Sequence, residues 1–441
     1  MNNFLLYDTS EAGGIPYSQT EKYEYQKWYT TDGLTDTSEY KTIRFSVRQE
    51  NLLIHWRYSY LELEGQLVKK SDGSAFTKDT DAISFIFNGI PHLFANGKFT
   101  VGNRVVESIN EIGYVSSLIN YILLARSKQK CDGLSFMWMA DTDNTSNDTN
   151  KGFTLRCDYI INCPATPGKF KLRIPLILLF GFCENFVALR GYPISIDLVR
   201  AADHLALFRN AGAEEGKFKF NQITLNTPIV DPSNVVNLKT LRGLTDPKPY
   251  LYSFRRRSGL MAPVPNGLTD FQFLITTSTM VERPMMIFIG FQEGLKTDQT
   301  QNNALYTHAN IETMKILVNN TQFPTNPVSA NWAENDPGMF YQMQIHAREN
   351  YLQFPSTYTE GNILSPINFK DLYPIYVFDV SKQEFTIGAK TVTTKLHATF
   401  RKKVPKDVRV HIAWYSERTL ELFTNGEAIN IKEHTESFIS S

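Results

Sequence analysis

The 441-residue chain has few cysteines, and its composition predicts no secretory signal. Cys131, Cys157, Cys163 and Cys183 are its only four, and all lie in the first half. The N-terminus combines neither a basic start nor a sustained apolar stretch, so we expect reduced, buried thiols rather than a disulfide framework. A disulfide between Cys157 and Cys163 across a short turn is the alternative. A zinc site is not expected, because no Cys-x-x-Cys or paired histidine accompanies the thiols.

Net charge and long hydrophobic runs are also lacking. The 45 basic and 45 acidic residues give a formal net charge of zero, so no broad attraction to nucleic acid or to an anionic membrane is expected. The most apolar run, residues 174–183, is too short to span a bilayer and contains Pro175 and Gly181, which favours a buried strand. Aromatic residues make up 13% of the chain, and this content is typical of β-rich proteins.

No catalytic motif is recognisable. The eight histidines are scattered, and neither a nucleophile elbow nor a phosphate-binding glycine loop occurs. Asp203 and His204 come nearest to an acid–base pair, but neighbours in a predicted strand point to opposite faces, which favours a structural role. Residues 141–152 (DTDNTSNDTNKG) form a predicted exposed loop that resembles a calcium loop, except that Ser146 and Gly152 stand where Gly and Glu are needed. We therefore predict that the chain is not an enzyme and has no catalytic, cofactor-binding or metal-binding residues.

Short alternating strands run through most of the chain. Alternation of apolar and polar residues predicts strands at residues 43–47, 56–60, 218–225, 271–275, 284–291, 314–320, 341–347 and 373–380. Residues 114–127 instead predict a helix, because five apolar residues fall on one stripe at helical spacing: Val115, Leu118, Ile119, Ile122 and Leu123. Ser116, Ser117 and Asn120 lie off that stripe. A helix inside a run of strands is expected in a long inter-strand loop.

Two passages occur twice, in the same order, and indicate an internal duplication. Residues 99–106 (FTVGNRVV) match residues 316–323 (ILVNNTQF), each a strand, a tight turn and the start of another strand. Residues 170–208 match residues 391–423, each a long strand, a loop, a second strand and a closing Leu-x-Leu-Phe. The two passages lie at nearly equal spacing in both halves, so we predict two related β-units in tandem.

This pattern predicts a division of the chain. The expected parts are an N-terminal arm, a first unit, a connection, a second unit and a C-terminal tail, at residues 1–40, 41–210, 211–270, 271–423 and 424–441. The aromatic arm is expected to lie against a neighbouring surface. The connection contains Arg255, Arg256 and Arg257, the only run of three arginines, which we interpret as a solvated or ion-paired turn rather than a nucleic-acid contact.

Four passages of the sequence carry a resemblance to a known family. They are NGIPHLFANGKFTVGNRVVESINEIGYVSSLINYIL, FCENFVALRGYPISIDLVRAADHLALF, ERPMMIFIGFQEG with MKILVNNTQFP, and residues 372–423 from LYPIYVFDV to LELF. Together they resemble the double jelly-roll major capsid proteins of Polinton/Maverick elements, adintoviruses and their relatives among virophages and larger DNA viruses. The resemblance extends over roughly residues 43–423, whereas residues 225–271 match no motif of that family.

The resemblance implies a fold and a function. The fold is all-β, with two tandem eight-stranded jelly rolls and short helices in the inter-strand loops. The function is that of a major capsid protein whose homotrimers form pseudo-hexameric capsomers of an icosahedral shell, located in the virion of a DNA virus or virus-like element. The expected partners are further copies of the chain and a penton or minor capsid protein. Neither sequence-specific nucleic acid nor a cofactor is expected.

Two further expectations remain. By analogy with the family, the N-terminal arm would lie under the shell and join neighbouring trimers, and the compact chain would lack long tower loops. The residues by themselves also allow a two-domain carbohydrate-binding or adhesive β-sandwich protein. In that alternative, exposed aromatic side chains and residues 141–152 would bind the sugar.

Overall fold

A computed structural model of the chain shows two β-sandwich units. It describes residues 6–8, 20–31, 38–48, 53–77, 80–163, 166–185, 187–189, 191–232, 250–279, 283–294, 297–352, 361, 363–383, 391–422 and 429–430. Phe423, the predicted end of the second repeat, lies outside these residues. So does the predicted C-terminal tail apart from residues 429–430.

The first unit contains strands β1 to β13. Their bounds are Leu6–Asp8, Thr20–Tyr29, Thr42–Val47, Leu53–Ile54, Tyr60–Lys69, Ile83–Phe85, Phe94–Val101, Arg104–Asn110, Lys169–Pro175, Val187–Leu189, Ile194–Arg200, Leu207–Arg209 and Gly216–Pro232. Between β8 and β9 lie helices α1 (Ile112–Leu123) and α2 (Lys151–Ile160).

The second unit contains strands β14 to β22. Their bounds are Tyr250–Val264, Asp270–Thr279, Met286–Gln292, Ile311–Val318, Thr321–Ser329, Ile375–Asp379, Thr391–Phe400, Val408–Leu422 and Ile429–Asn430. Between β18 and β19 lie helices α3 (Met339–Leu352) and α4 (Pro366–Asp371). In both units, therefore, the helices follow a β-hairpin and precede the next long strand.

Both units have the same strand order. The first has sheets β2-β13-β5-β9 and β3-β11-β7-β8, with the short β1, β4 and β10 added to the former and a separate β6–β12 ribbon. The second has sheets β14-β21-β16-β19 and β15-β20-β17-β18, with β22 paired to β21. When the eight long strands are numbered within each unit, both orders are 1-8-3-6 and 2-7-4-5. This arrangement of two packed four-stranded sheets is the jelly roll.

Alternating burial explains why these segments form strands. β11 alternates between buried and half-buried residues along its length, and β9 alternates between exposed and buried residues. The buried residues of the facing sheets meet in the core, where Leu63 of β5 joins Phe99 of β7 and Ile196 of β11. Burial of one face of each sheet is the main driving force for such a sandwich.

The repeat predicted from the sequence is correct in one part and wrong in the other. The hairpin of residues 99–106 and that of residues 316–323 join the fourth and fifth strands of each unit, as predicted. The second match is wrong by one strand, because residues 170–175 form the sixth strand of the first unit whereas β20 is the seventh strand of the second. Every half-buried strand alternates in the same way, so alternation alone does not identify a strand's place in the order.

Three local predictions need correction. Residues 341–347 form part of α3 rather than a strand, because Phe340, Gln344, Ala347 and Arg348 are buried at helical spacing. Trp56 lies in a short 3₁₀ turn, and β5 begins only at residue 60. The helix predicted over residues 114–127 is confirmed as α1, but all its residues are buried, including those predicted off the apolar stripe.

The segments outside the predicted units also form strands. Residues 20–29 of the expected arm form β2, where the Trp28 indole N–H donates to Thr227 Oγ1 at 2.8 Å. Residues 211–270 contain β13 and β14, which complete one sheet in each unit. The predicted strand at residues 218–225 is confirmed within β13.

Candidate functional surfaces

The cysteines and the candidate acid–base pair have structural surroundings. None of the four cysteines, all of them among the described residues, forms a disulfide, and Cys157 and Cys183 are buried, whereas Cys131 is exposed. Asp203 does not lie in a strand, as the sequence suggested, but begins a short 3₁₀ turn, where it pairs with the buried Arg200. Its other carboxylate oxygen accepts the Phe218 backbone N–H at 3.0 Å. Asp203 therefore fastens the end of β11 to β13.

Residues 141–152 connect the two units instead of forming a wholly exposed loop. Asp141 is buried, and its carboxylate accepts bonds from Arg156 at 2.6 Å and from the Asn150 side chain at 3.0 Å. The second carboxylate oxygen accepts a 2.9 Å bond from the amide of Asn302, which belongs to the second unit. The Tyr373 hydroxyl accepts the Asp141 backbone N–H at 3.0 Å. The Asp141 carboxylate, the first acidic group of the apparent calcium loop, thus accepts hydrogen bonds from other residues of the protein.

The described residues hold no cluster of three or more His, Cys, Asp or Glu arranged to bind a metal ion. In the same part of the chain, none of the helices has the length and apolar character needed to cross a membrane.

One sheet of the second unit is buried on both faces. Every residue of β16 is buried, whereas an antiparallel sheet with one solvent face would show alternation. Its inner face packs in the core of the second unit, where Ile287 and Ile289 lie. Its outer face contacts α1 of the first unit, and Tyr114 of α1 stacks on His411 of β21 with ring centroids 4.0 Å apart.

Two glycines allow α1 to approach this outer face closely. A Cβ atom on Gly259 of β14 would lie 2.2 Å from Val115 Cγ2. A Cβ atom on Gly290 of β16 would lie 2.9 Å from Leu118 Cδ2. Because such distances are shorter than van der Waals contact, any larger residue would push the helix away. The two units are therefore fitted closely to each other.

A buried polar network crosses the same junction. Glu107 of β8 accepts three backbone N–H bonds, from Gly181 at 3.1 Å, Phe182 at 3.0 Å and Arg257 at 2.8 Å. The guanidinium of Arg257 donates to Glu184 Oε1 at 2.6 Å. Since Glu107 and Arg257 are 0% and 1% exposed, water does not compete with these bonds.

The side chains around Glu184 extend the network to α3. The Tyr351 hydroxyl of α3 donates to Glu184 Oε1. The guanidinium of Arg255 lies 3.5 Å from Glu184 Oε2 and 4.0 Å from the centroid of the Tyr351 ring. Arg257 also donates to the carbonyl oxygens of Ile177 and Leu178 at 3.0 and 3.1 Å. Glu184 of the first unit thus interacts with Arg255, Arg257 and Tyr351 of the second unit.

Glu107 and Arg257, the two central groups of this network, differ in the pH range over which they change protonation. Burial raises the pKa of Glu107 to about 7, against the opposing effect of the backbone N–H donors and of Arg257. Burial, the largest single effect, disfavours the charged form of Arg257, but Glu184, Tyr351 and Glu107 together outweigh it and raise the pKa of that guanidinium above its usual value. Arg257 therefore remains charged, while Glu107 changes its protonation near neutral pH.

The basic triplet accordingly lies in a strand rather than in a turn. Arg255, Arg256 and Arg257 lie in β14, opposite Glu417, Ser416 and Tyr415 of β21. The expectation of ion pairing is confirmed for Arg255 and Arg257, which pair with Glu184. The sequence placed them in a turn because the flanking composition is rich in Pro, Asn and Gly.

The corresponding outer face of the first unit is open. We call it the tyrosine face and define it by seven residues of β2, β5 and β9: Tyr23, Tyr25, Lys27, Tyr29, Tyr60, Glu62 and Arg173. Tyr23, Tyr25 and Tyr29 are 46%, 51% and 63% exposed. Alternate residues of a strand share a face, so these tyrosines stand in a row along β2.

A carboxylate with several cationic neighbours lies in the middle of the tyrosine face. Glu62 accepts bonds from Lys27 at 3.1 Å and Arg173 at 2.8 Å, and Lys171 Nζ lies 3.4 Å away. Burial opposes its ionisation, but the bonds from Arg173 and Lys27 outweigh burial and hold the pKa of Glu62 below its usual value. The tyrosine face therefore contains a stably ionised carboxylate in addition to its exposed aromatic rings.

Sequence reasoning missed most of these groups. Glu107 and Glu184 are isolated acidic residues in the sequence, and no spacing relates them to Arg257, which lies 150 and 73 residues away. The tyrosine row was visible only as an aromatic N-terminal segment. Its alternation at residues 23, 25 and 29 is the signal that could have identified a strand.

Comparisons with known proteins agree with this architecture. The family model of the double jelly roll-like domain matches residues 85–418. The cryo-EM structure of the Sputnik virophage is similar with a TM-score of 0.66 and 11% identity, over 96% of this chain and 90% of that one. No curated protein matches the sequence.

Two capsid structures are similar over nearly the whole chain. The Faustovirus major capsid protein has a TM-score of 0.56 and 9% identity, over 92% of this chain and 91% of that one. The mavirus major capsid protein has a TM-score of 0.53 and 11% identity, over 97% of this chain and 94% of that one. At these identities the likeness establishes a shared fold.

Proposed function

The chain belongs to the double jelly roll-like domain family, and on that basis we propose that it is the major capsid protein of a DNA virus or virus-like element. The observation that carries the proposal is the presence of two units with the same strand order, 1-8-3-6 and 2-7-4-5, in one chain. Its near-complete overlap with the mavirus and Faustovirus major capsid proteins supports it.

The duplication gives this proposal a geometric basis. Three copies of a chain with two similar units present six similar wedges, and a closed threefold ring of them has a nearly hexagonal outline. Such a ring can meet six neighbours in a shell. We therefore propose that the protein forms homotrimers, that these tile an icosahedral capsid in the virion, and that a penton or minor capsid protein completes the shell.

We also propose domain boundaries that follow the strands. The first jelly roll extends from residue 20 to residue 232, and the second from residue 250 to residue 422. These limits replace those expected from the sequence, because β2 starts inside the expected arm and β13 lies inside the expected connection. Removal of residues 1–40 would therefore remove β1 and β2, two strands of the same sheet, in addition to any arm.

The carbohydrate-binding alternative receives no support from residues 141–152. Asp143 accepts bonds from the Thr145 backbone N–H at 2.8 Å and from the Thr149 hydroxyl at 2.6 Å. The side chain of Asn150 donates to the carbonyl oxygens of Asp143 and Thr145. These polar groups of the loop are thus already paired within it.

The mass of the purified full-length protein in solution tests the proposal. Light scattering should give about 151 kDa, three times the 50.4 kDa of one chain. Negative-stain images of the same sample should show a hexagonal outline. A species that stays at the mass of one chain over the whole accessible concentration range would contradict the trimer.

A further inference from the structure

We propose that the second unit binds a sulfated polysaccharide through an exposed basic turn at one end of its sandwich. The basic turn consists of residues 401–407 (RKKVPKD), which join β20 to β21. It contains one acidic residue, Asp407, and four cations: Arg401, Lys402, Lys403 and Lys406. The zero net charge of the whole chain therefore conceals a local concentration of positive charge.

The three lysines of the basic turn have no acidic partner among the described residues. Lys402, Lys403 and Lys406 are exposed, and none of them forms an ion pair with a residue that the structure describes. Arg401 differs, because its Nε lies 3.8 Å from Glu312 Oε1. Three positive charges are therefore available to an anionic ligand.

The backbone of the basic turn is fixed by the neighbouring turn between β14 and β15. The Val404 N–H donates to the Leu268 carbonyl oxygen at 3.0 Å, and the Val404 carbonyl oxygen accepts the Gly267 N–H at 2.9 Å. The Val404 side chain is buried in the core of the second unit. A turn held in this way has little backbone freedom left to lose when a ligand binds.

The equivalent connection of the first unit is acidic, and its charges are paired. Residues 201–215 join the seventh strand of that unit to the eighth and end in Glu214 and Glu215. Lys69 Nζ lies 3.3 Å from Glu214 Oε1, and Lys70 Nζ lies 2.8 Å from Glu215 Oε2. The duplicated architecture therefore permits internal pairing at this position, whereas the second unit leaves three charges unpaired.

The chemistry of the basic turn favours a sulfated polysaccharide over nucleic acid. Proteins that bind single strands combine a positive surface with aromatic side chains that stack on the bases, and the basic turn contains no aromatic residue. Duplex DNA is bound through a larger surface, with roughly six to ten phosphate contacts. Sulfate groups along a flexible chain require only point charges, which lysine ammonium groups supply, and they can meet a small turn without a groove.

An anionic membrane suits the basic turn less well. Peripheral attachment to a bilayer combines basic residues with an apolar group that enters the lipid. Val404 is the one large apolar residue of the basic turn, and it is buried. The turn therefore offers charge but no apolar side chain for insertion.

Binding of the full-length protein to heparin, a sulfated polysaccharide, tests the inference by calorimetry at several salt concentrations. The triple variant Lys402→Gln, Lys403→Gln and Lys406→Gln should bind roughly tenfold or more weakly at physiological salt. The slope of log affinity against log salt concentration should fall by about two, at roughly 0.7 per cation as for single-stranded nucleic acids. Because these lysines are exposed and unpaired, the variant should keep the wild-type midpoint of urea unfolding.

A matched control separates the basic turn from net charge. Lys130→Gln with Lys151→Gln and Lys219→Gln removes the same charge from exposed lysines of the first unit, and it should bind heparin as the wild type does. A wild type that does not bind heparin, or a control that is weakened as much as the triple variant, would overturn the inference.

Three competitors identify the anion. Desulfated heparin should not bind, single-stranded DNA should compete roughly tenfold or more weakly than heparin, and vesicles of phosphatidylcholine with phosphatidylserine should not retain the protein. Equal binding of desulfated heparin, or tighter binding of the DNA or the vesicles, would overturn the assignment to a sulfated polysaccharide. A wild type that binds heparin as a single chain would support the inference while contradicting the proposed trimer.

Discussion

The two equivalent sheet faces have the same backbone arrangement and opposite chemistry. In the second unit the outer face is apolar, with Met286 and Phe288 of β16 completely buried. In the first unit the outer face has exposed tyrosines around Glu62. Apolar faces are typical of permanent contacts, whereas polar, tyrosine-rich faces are typical of contacts between separately folded chains. One duplicated architecture therefore supplies both a fixed junction within the chain and an adaptable surface outside it.

The carboxylates near the two faces show the same contrast. Glu107 at the junction is buried among backbone donors, and burial raises its pKa to about 7. Glu62 on the tyrosine face has Arg173 and Lys27 as partners, which hold its pKa below the usual value. Their contributions to stability should therefore change with pH in opposite directions.

The largest effect is expected from removing the charge at the junction. Arg257→Met removes the buried cation of the pair and leaves the half-buried Glu184 without its closest cation, so the free energy of unfolding should fall by about 3–5 kcal/mol. Urea unfolding followed by tryptophan fluorescence measures this loss. Arg104→Met, at an exposed arginine, should change the same quantity by less than about 0.5 kcal/mol.

A second variant shows whether the pairing itself is responsible. Glu184→Gln combined with Arg257→Met removes both charges, so the combined loss should be smaller than the sum of the two single losses. Strictly additive losses would show that the pair is not coupled. An Arg257→Met protein as stable as Arg104→Met would contradict the importance of the buried network.

The next effect is the pH dependence of the junction. The pKa of Glu107 is raised from 4.5 to about 7 in the folded protein, so its contribution to stability is full below pH 4.5 and is lost as the pH rises to 7. The loss is about 3 kcal/mol across that window. Glu107→Gln should remove this slope in urea titrations at several pH values, whereas Glu334→Gln, at an exposed glutamate, should keep it. An unchanged slope in Glu107→Gln would refute the assignment.

The fold was predictable from local patterns because burial alternates within single strands. The strands β3, β11 and β20 and the hairpin after β7 follow from alternation and turn residues, and α1 follows from one apolar stripe. The position of each strand in the order of its unit was harder to predict from the sequence. Residues 170–175 and β20 alternate alike, yet they occupy the sixth and seventh positions of their units.

The junction was not predictable, since its partners are distant in sequence. Ser116 and Asn120 lie off the apolar stripe of α1, and the helical pattern alone does not predict any contact for them. In the structure, both donate to the carbonyl oxygen of Leu178 at 3.0 Å, about sixty residues away. Such contacts depend on how segments that are distant in sequence pack together, which the period of a single segment does not encode.

The smallest effect is expected on the tyrosine face. Glu62→Gln removes a charge whose partners Lys27 and Arg173 remain largely accessible to water, so at pH 7 it should cost only about 1 kcal/mol of unfolding free energy. Because the folded pKa of Glu62 lies below its unfolded value of 4.5, that contribution is present above pH 4.5 and is lost as the pH falls through the folded pKa. Wild type and variant should therefore converge in acid, where Glu107 has its full effect. A difference that persists at low pH would show that Glu62 acts through packing rather than through charge, and the contrast between the two faces would then rest on the tyrosines alone.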